Sequence, residues 1–444
     1  MPEVRILTRY TDAEEFPEQY RIERAVENGY YEMSRKALAE MQPDEIIEIV
    51  KASGLRGRGG AGAPCGMKWG FMPKEPPPQR PNYLICNADE SEPGTYSNRE
   101  ILENDPHQLV DGMIISAYAL RVRRMFIYCR GEFVLGANRV AQAIEDAYRK
   151  GFLGKNIFGS NFSTDLILHR GAGAYICGEE TALMDSLEGK RGHPRSKPPF
   201  PANSGLYGMP TTINNVETLC NLPHLLRHGV EWFRAMGTEK STGTKVLSVS
   251  GHVKRPRNYE IVMGTSIREL VYDLAGGIRG DRELKAVIPG GSSMPMLPKE
   301  LALNTNLDFE SLQQAGSSLG SGGFMAFDET TDIVQVCEVI ARFYKNESCG
   351  KCVPCRIGTD WLHKTIHRIV RGQGRMEDIP LLRGICVNLA GERMMDSRSF
   401  CPLGDAAAWP IIWGGLKHYQ HEFEYWIRNK RSPVGREVGM PALA

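Results

Sequence analysis

Four cysteines constrain this chain more than any other feature. Cys349, Cys352 and Cys355 lie in E-S-C-G-K-C-V-P-C-R, and Cys401 follows in S-F-C-P-L-G-D-A. A C-x-x-C-x-x-C run with one remote cysteine is ligand spacing for a cubane [4Fe–4S] cluster. Two-residue gaps let one loop wrap the cluster corner by corner, and the distant thiolate closes the site. Zinc is the rival reading, because C-x-x-C pairs also build tetrahedral sites. Zinc sites usually take two separated pairs, whereas three cysteines within seven residues favour iron–sulfur. Three unliganded buried thiols at this density is the weakest reading. An iron–sulfur centre moves single electrons, so the chain needs an electron source.

Composition narrows the remaining classes. A chain of 444 residues has room for two to four domains. The formal net charge of +1 gives no electrostatic case for nucleic acid or an anionic membrane surface. No run of eighteen apolar residues is present, so no membrane-spanning helix is expected. The first residues, M-P-E-V-R-I-L-T-R-Y, carry no apolar signal core. Eleven cysteines without a secretion signal fit reduced thiols and metal ligation. Of the other seven, Cys65, Cys86, Cys129, Cys177, Cys220, Cys337 and Cys386, most lie in apolar strand-like or helix-like stretches and read as core thiols.

Residues 13–53 read as helix-rich, with Pro43-Asp44-Glu45 opening a helix. β-rich runs at 83–87, 125–130 and 165–169 alternate with helical patterns at 108–120 and 136–150, which argues for a parallel α/β sheet. Near residue 240 the composition shifts, and strands at 245–253 and 285–288 flank a helix at 266–275, a module of β-grasp size. From residue 331 the pattern is helical, at 333–345, 359–370, 378–388 and 405–427.

Gly57-Arg58-Gly59-Gly60-Ala61-Gly62 matches G-x-G-x-x-G, but it follows a helical segment where a dinucleotide fingerprint follows a strand. A flexible surface loop fits this segment equally well. As a ligand loop, its backbone N–H groups can approach a nucleotide or flavin, with Arg58 and Lys68 supplying charge for phosphate. Asn87-Ala88-Asp89-Glu90-Ser91-Glu92 and Gly178-Glu179-Glu180 place carboxylates at the ends of strand-like runs. These residue types are also plain turn formers, yet they suit ribityl and ribose hydroxyls at the carboxyl edge of an α/β sheet. Asn214-Asn215 precede a helix and Lys197 lies in R-S-K-P-P-F-P, both candidates for phosphate. Phe71 and Phe200 are candidate ring stackers, and each fits a core position as readily.

These segments together resemble one family, the NADH-oxidising flavoprotein subunit of respiratory complex I, the NADH:quinone oxidoreductase. The stretches that carry the resemblance are G-R-G-G-A-G, N-A-D-E-S-E-P-G-T, G-A-G-A-Y-I-C-G-E-E-T-A-L, P-R-S-K-P-P-F-P-A, N-N-V-E-T-L, E-S-C-G-K-C-V-P-C-R and F-C-P-L-G-D-A-A-A-W, in order from residue 54 to 418. It implies an α/β, Rossmann-like FMN- and NADH-binding domain with N-terminal helices over 1–240. A β-grasp (ubiquitin-like, SLBB-type) α+β domain over 241–330 and a helical bundle binding [4Fe–4S] over 331–430 are implied next, then a basic tail at 431–444.

The same resemblance implies hydride transfer from NADH to FMN, then one-electron transfer to the cluster and onward to quinone through partner subunits. It implies an FMN site of Gly57, Arg58, Gly59, Gly60, Gly62, Lys68, Asn87, Asp89, Glu90, Ser91, Tyr175, Gly178, Glu179, Glu180, Asn214, Asn215 and Thr218. It implies an NADH site of Phe71, Glu92, Glu180, Lys197 and Phe200, with Glu92 as the catalytic-site carboxylate. Cys349, Cys352, Cys355 and Cys401 become the cluster ligands. The implied partners are a small thioredoxin-like [2Fe–2S] subunit and the large iron–sulfur subunit of the complex I peripheral arm, on the cytoplasmic side of a bacterial inner membrane. No nucleic acid and no direct membrane insertion are expected.

Two features depart from the family pattern. Ala63 stands where the family usually carries Phe, and G-E-R-M-M-D-S-R lengthens the path to Cys401. A diaphorase subunit of a soluble NAD-reducing hydrogenase or formate dehydrogenase is the related alternative. Such chains often carry an added [2Fe–2S] domain, and no added cysteine quartet is seen here. A non-catalytic metal-binding scaffold is the alternative of another class, and the intact glycine loop and acidic turns argue against it.

Overall fold

Pro43 at the first turn, a reciprocal Gln42–Glu45 capping box and Gly54 at φ 72° delimit the helix Pro43–Ser53. Its Ile46, Ile47 and Val50 face the core. It delivers the chain straight into the glycine loop and the short helix Cys65–Gly70. The computed structural model describes residues 3–394 and 396–434. The tail from residue 435 lies outside the described residues, as does Met395 in the lengthened segment before Cys401.

The first sheet is four parallel strands in the order β3-β2-β1-β4: β1 Asn82–Ala88, β2 Val122–Cys129, β3 Asp165–Arg170 and β4 Thr211–Asn215. Helices Ser97–Asn104 and Pro106–Ala119 connect β1 to β2, and Val134–Arg149 connects β2 to β3. The sequence runs expected as strands at 83–87, 125–130 and 165–169 are three of the four. The sequence pattern does not predict β4: T-T-I-N-N is short and polar at every position but Ile213, yet its Thr211, Thr212 and Asn214 side chains are buried. The chain winds from β1 outward to β3, then returns to the other side of β1. That reversal opens a crevice beyond the carboxyl ends of β1 and β4, where open α/β sheets bind ligands.

The second sheet has the order β6-β5-β9-β7-β8, from β5 Thr244–Gly251, β6 Arg257–Val262, β7 Leu284–Ile288, β8 Leu297–Pro298 and β9 Gly323–Asp328. The central β5–β9 pair is parallel and the other pairs antiparallel, which is β-grasp topology. The helix expected at 266–275 is a short π-helical segment, Glu269–Leu274.

Helices Ile333–Glu347, Val353–Arg368, Asp378–Ala390, Leu403–Trp409 and Gln420–Asn429 form the last layer. The single helix expected over 405–427 is interrupted. Pro410 lacks a backbone N–H, and a π-helical stretch Pro410–Gly415 separates Leu403–Trp409 from Gln420–Asn429. One continuous core joins this bundle to the first sheet, through Ile85, Phe126 and Ile213, and to the second, through Ala286, Ile288 and Met296. The bundle is therefore seated on both sheets, with its cysteine loop held against the crevice.

Candidate nucleotide cleft and cysteine centre

A cleft of about 480 Å³ lies beyond the carboxyl ends of β1 and β4. One wall is the glycine loop, Gly57 to Gly62. A Cβ on Gly59 would sit 2.9 Å from Asn215 Cβ, so only glycine lets the loop lie this close to the end of β4. Gly62 adopts φ +64°, and a Cβ there would meet the Phe309 ring at 2.5 Å. The Arg58 N–H donates to Thr218 Oγ1 at 2.9 Å, tying the loop to the start of the helix Val216–Arg234.

The expected residues Gly57, Arg58, Gly59, Gly60, Gly62, Lys68, Asn87, Asp89, Glu90, Ser91, Glu92, Tyr175, Gly178, Glu179, Glu180, Lys197, Asn214, Asn215 and Thr218 all line this cleft. Phe71 and Phe200 do not. They are 66% and 56% exposed, one at the end of the helix Cys65–Gly70 and the other in the 198–205 loop. Ala63 lies at the exposed rim of the cleft.

Individual roles differ from a uniform ligand shell. The Arg58 guanidinium is buried behind the loop, where Nη2 donates to the Thr242 carbonyl at 2.7 Å. Burial lowers it to about 10, and its Nε and Nη1 find no partner among the described residues. Glu90 spends its carboxylate on the helix Ser97–Asn104, accepting from the Asn98 and Arg99 N–H groups at 2.8 and 2.9 Å. Asn214 accepts from Trp69 Nε1 at 3.0 Å, and Asn215 caps Val216–Arg234 through the Glu217 N–H at 2.9 Å. These side chains hold the cleft's frame.

The charged groups facing the cleft form two sets. Glu180 pairs with Lys197 at 2.5 Å and Lys68 at 3.4 Å. Loss of hydration pushes its carboxyl up, but the two ammonium groups outweigh this and hold it below the usual range. Lys68 also donates to the Ile213 carbonyl at 2.6 Å. Glu92 is held by neutral donors: the Tyr175 hydroxyl and the Ser293 N–H, both at 2.7 Å, and the Ser292 hydroxyl at 3.2 Å. Burial raises its carboxyl despite these bonds. Burial likewise pushes Asp89 up to about 7, with the Ser91 hydroxyl opposing.

Residues from the other two layers complete the walls. Ser293, Met294, Gly320 and Ser321 come from β-grasp loops, and Pro402, Leu403, Ala406 and Trp409 from the bundle. The sequence pattern singles out none of them. The loops P-G-G-S-S and G-S-S-L-G-S-G-G are glycine-dense like the first loop, with serine hydroxyls added, and that signal could have found them.

Cys349, Cys352, Cys355 and Cys401 line one small cavity with Ser348, Phe400 and others. Cys352 is the N-cap of Val353–Arg368, Cys355 sits in its first turn, and Cys401 comes just before Pro402, the N-cap of Leu403–Trp409. Burial pushes the Cys355 thiol up to about 11, opposed by the Ser348 hydroxyl 3.2 Å away, and Cys401 up to about 12, opposed by the Leu403 N–H. A metal centre supplies the positive charge that such thiols need to ionise. Cys337 and Cys386 are fully buried in helices, as expected of core thiols. Ile176 and Leu403 line both the cleft and this cavity, so one layer of side chains separates the two.

The donor sets fit the expected groups. Glycine backbone, hydroxyls, amides and a buried guanidinium with two unpartnered nitrogens suit a flavin mononucleotide, and a small four-thiol pocket suits [4Fe–4S].

Comparison with known proteins agrees. Residues 50–224 match the family described as the Nuo51 FMN-binding domain, 245–336 the SLBB domain, and 335–426 the NADH-ubiquinone oxidoreductase-F iron-sulfur binding region. The F subunit of NADH-quinone oxidoreductase from Rickettsia bellii (strain OSU 85-389) is 50% identical over 390 residues, covering 88% of this chain and 91% of that protein. The second F-type subunit of the same enzyme from Rhizobium meliloti (strain 1021) is 50% identical over 405 residues, covering 91% and 94%. Among solved structures, a chain of an NAD+-reducing [NiFe]-hydrogenase in the H2-reduced state is 35% identical with a TM-score of 0.77. That alignment covers 87% of this chain but 63% of the hydrogenase chain. On this identity, coverage and matched architecture, the chain belongs to the family of NADH-quinone oxidoreductase F subunits.

Proposed function

We propose that the chain is the electron-input subunit of an NADH:quinone oxidoreductase, taking hydride from NADH at the cleft and releasing single electrons through the cysteine centre. The family membership establishes the reaction class, an FMN and a [4Fe–4S] cluster. The observation that carries the spatial reading is the shared layer, Ile176 and Leu403, between cleft and cysteine cavity. FMN supplies the conversion from a two-electron donor to a one-electron carrier.

The chain's own residues bind and orient the two groups. The backbone of the glycine loop would hold the ribityl phosphate end, with Thr218, Asn87 and Asn215 fixing the frame around it and the buried Arg58 charge behind them. The Lys68–Glu180–Lys197 set and the neutral-held Glu92 receive the nucleotide, with Glu92 beside a ribose. Tyr175 fixes the Glu92 carboxylate through its hydroxyl. Cys349, Cys352, Cys355 and Cys401 hold the cluster.

Val353, Ile357 and Trp361 lie one turn apart on Val353–Arg368 and are exposed beside the cysteine loop. This face suits an iron–sulfur partner receiving electrons, in our reading the large iron–sulfur subunit of the peripheral arm, with the small thioredoxin-like [2Fe–2S] subunit docked nearby. No helix among the described residues is long and apolar enough to cross a membrane. We place the subunit peripherally, on the cytoplasmic face of a bacterial inner membrane. We take residues 1–240, 241–330 and 331–430 as the three units of the chain.

The hydrogenase likeness supports a second reading, a diaphorase chain feeding a soluble hydrogenase. Identity of 50% to the quinone-reductase relatives against 35% to the hydrogenase chain favours the first. The test is the visible spectrum of the purified protein: flavin bands over broad iron–sulfur absorbance, bleached by NADH under anaerobic conditions. A spectrum with neither component, or one unmoved by NADH, overturns the proposal. Co-purification with a hydrogenase module in place of quinone-reducing partners transfers it to the second reading.

A further inference from the structure

We propose that Glu338, His363 and His367 bind one divalent transition-metal ion of the zinc class, separate from the cysteine centre. Glu338 projects from the helix Ile333–Glu347, and the two histidines from Val353–Arg368. Four residues apart, His363 and His367 share one helix face. Their rings stack with centroids 5.4 Å apart. Glu338 Oε1 lies 3.1 Å from His363 Nε2 and 3.2 Å from His367 Nδ1, and the three donor atoms all fall within 4.8 Å of one another. A tetrahedral ion with ligand bonds of about 2.0–2.2 Å needs donors roughly 3.3 Å apart. Two of the three separations already match.

The burial pattern matches an open rather than a closed site. The side chains of Glu338 and His363 are 9% and 13% exposed, whereas His367 is 43% exposed. The fourth position therefore faces water, as in three-ligand sites. Nitrogen and carboxylate donors without thiolate select zinc and its neighbours over iron–sulfur. The competing arrangement is a metal-free triad in which both imidazoles donate N–H to the shared carboxylate oxygen. An ion takes the place of those two N–H contacts, each imidazole then carrying its proton on the other ring nitrogen, His363 on Nδ1 and His367 on Nε2. Arg342, on the same helix as Glu338, adds a positive charge near the carboxylate, which favours its ionised, ligating form while opposing a cation.

The site clips together the two helices that flank the Cys349–Cys355 loop.

The test uses the full chain with its cofactors. The protein is equilibrated with zinc, freed of excess by gel filtration, and analysed for zinc and iron, with zinc-edge X-ray absorption. The expected result is one more zinc per chain in the unmodified protein than in His363→Gln/His367→Gln, with iron equal in both. Nitrogen and oxygen neighbours at about 2.0–2.1 Å are expected, without sulfur at about 2.3 Å. Equal zinc in both proteins, sulfur ligation, or no zinc in the unmodified protein overturns the proposal. The last outcome leaves the hydrogen-bonded triad. Glu338→Gln keeps an acceptor for the imidazoles and guards against misfolding of the double variant. Zinc affinity at least ten-fold weaker is expected, and unchanged affinity refutes the site.

Discussion

Substitution of Glu92 by Gln removes one charge from the cleft while preserving the side chain's shape. In the unmodified protein the carboxylate is held by Tyr175, Ser292 and Ser293, all neutral donors. Glu180, by contrast, is compensated by Lys68 and Lys197. Glu92 is thus the group with charge to spare for choosing between NADH and NADPH. A carboxylate beside a ribose 2′-hydroxyl accepts its hydrogen bond and repels a 2′-phosphate. At about 6 Å and an effective dielectric near 20, one unit charge against roughly 1.5 phosphate charges amounts to about 4 kcal/mol. Water and salt in an open cleft reduce this to about 2 kcal/mol, or roughly thirty-fold in kcat/KM. The assay is steady-state reduction of an artificial acceptor with each nucleotide. The unmodified protein should prefer NADH, and Glu92→Gln should narrow the ratio by about thirty-fold, mainly by improving NADPH. Because burial raises the Glu92 carboxyl, the preference should also weaken as pH falls, and stay flat in the variant. Equal kcat/KM for both nucleotides in the unmodified protein, or an unchanged ratio in the variant, refutes the reasoning.

Ala63→Phe should rebuild an aromatic wall that neither Phe71 nor Phe200 supplies, lowering KM for NADH by the equivalent of about 1–3 kcal/mol with little change in kcat. An unchanged KM counts against an open adenine wall. Lys245→Met should strand the Glu217 carboxylate, which now pairs at 2.6 Å with both side chains 1% exposed, and cost about 3–5 kcal/mol in thermal or denaturant unfolding. Adding Glu217→Gln should recover most of that loss, and an unshifted midpoint in the single variant refutes it. Burial lowers His107 to about 4 and His224 to about 3, from 6.5. Their contribution is present above pH 6.5 and lost as pH falls toward those values, by up to about 1.4 kcal/mol per pH unit for each. The melting temperature should therefore drop on acidification below pH 6.5, less steeply in His224→Gln, and parallel curves contradict this.

The cysteine centre was legible because its chemistry dictates spacing: three ligands in one loop are visible in any sequence window, and Cys401 differs from Cys337 and Cys386 by lying before Pro402 instead of within an apolar helix face. The cleft was legible where a turn ends β1, at Asn87–Glu92, whereas Gly178–Glu180 lies well past the end of β3, between the 3-10 turn Tyr175–Gly178 and the helix Glu180–Leu187. Direction was not legible. Arg58 reads as a phosphate ligand, yet its side chain folds back to Thr242, and Glu90 reads as a ribityl contact, yet it caps a helix. Residue type gives the chemistry a side chain can do, while packing decides which neighbour receives it. β4 escapes a sequence reading because four of its five residues are polar, and their burial depends on partners remote in sequence. The contributions of Ser293, Ser321 and Trp409 arise only once three layers meet. No local pattern encodes that meeting.

The central claim is a relay from nucleotide cleft to cysteine centre, and freeze-quenched EPR of the anaerobic protein after NADH addition tests it most directly. Cys401→Ser, Cys386→Ser and Cys337→Ser are compared with the unmodified chain, with flavin absorbance and iron content recorded in parallel. The account predicts that NADH bleaches the flavin in all four proteins. The cubane signal should develop in the unmodified, Cys386→Ser and Cys337→Ser proteins, and be lost or strongly altered in Cys401→Ser. An intact cubane signal in Cys401→Ser, or a cluster reduced by NADH in protein stripped of its flavin, contradicts the account.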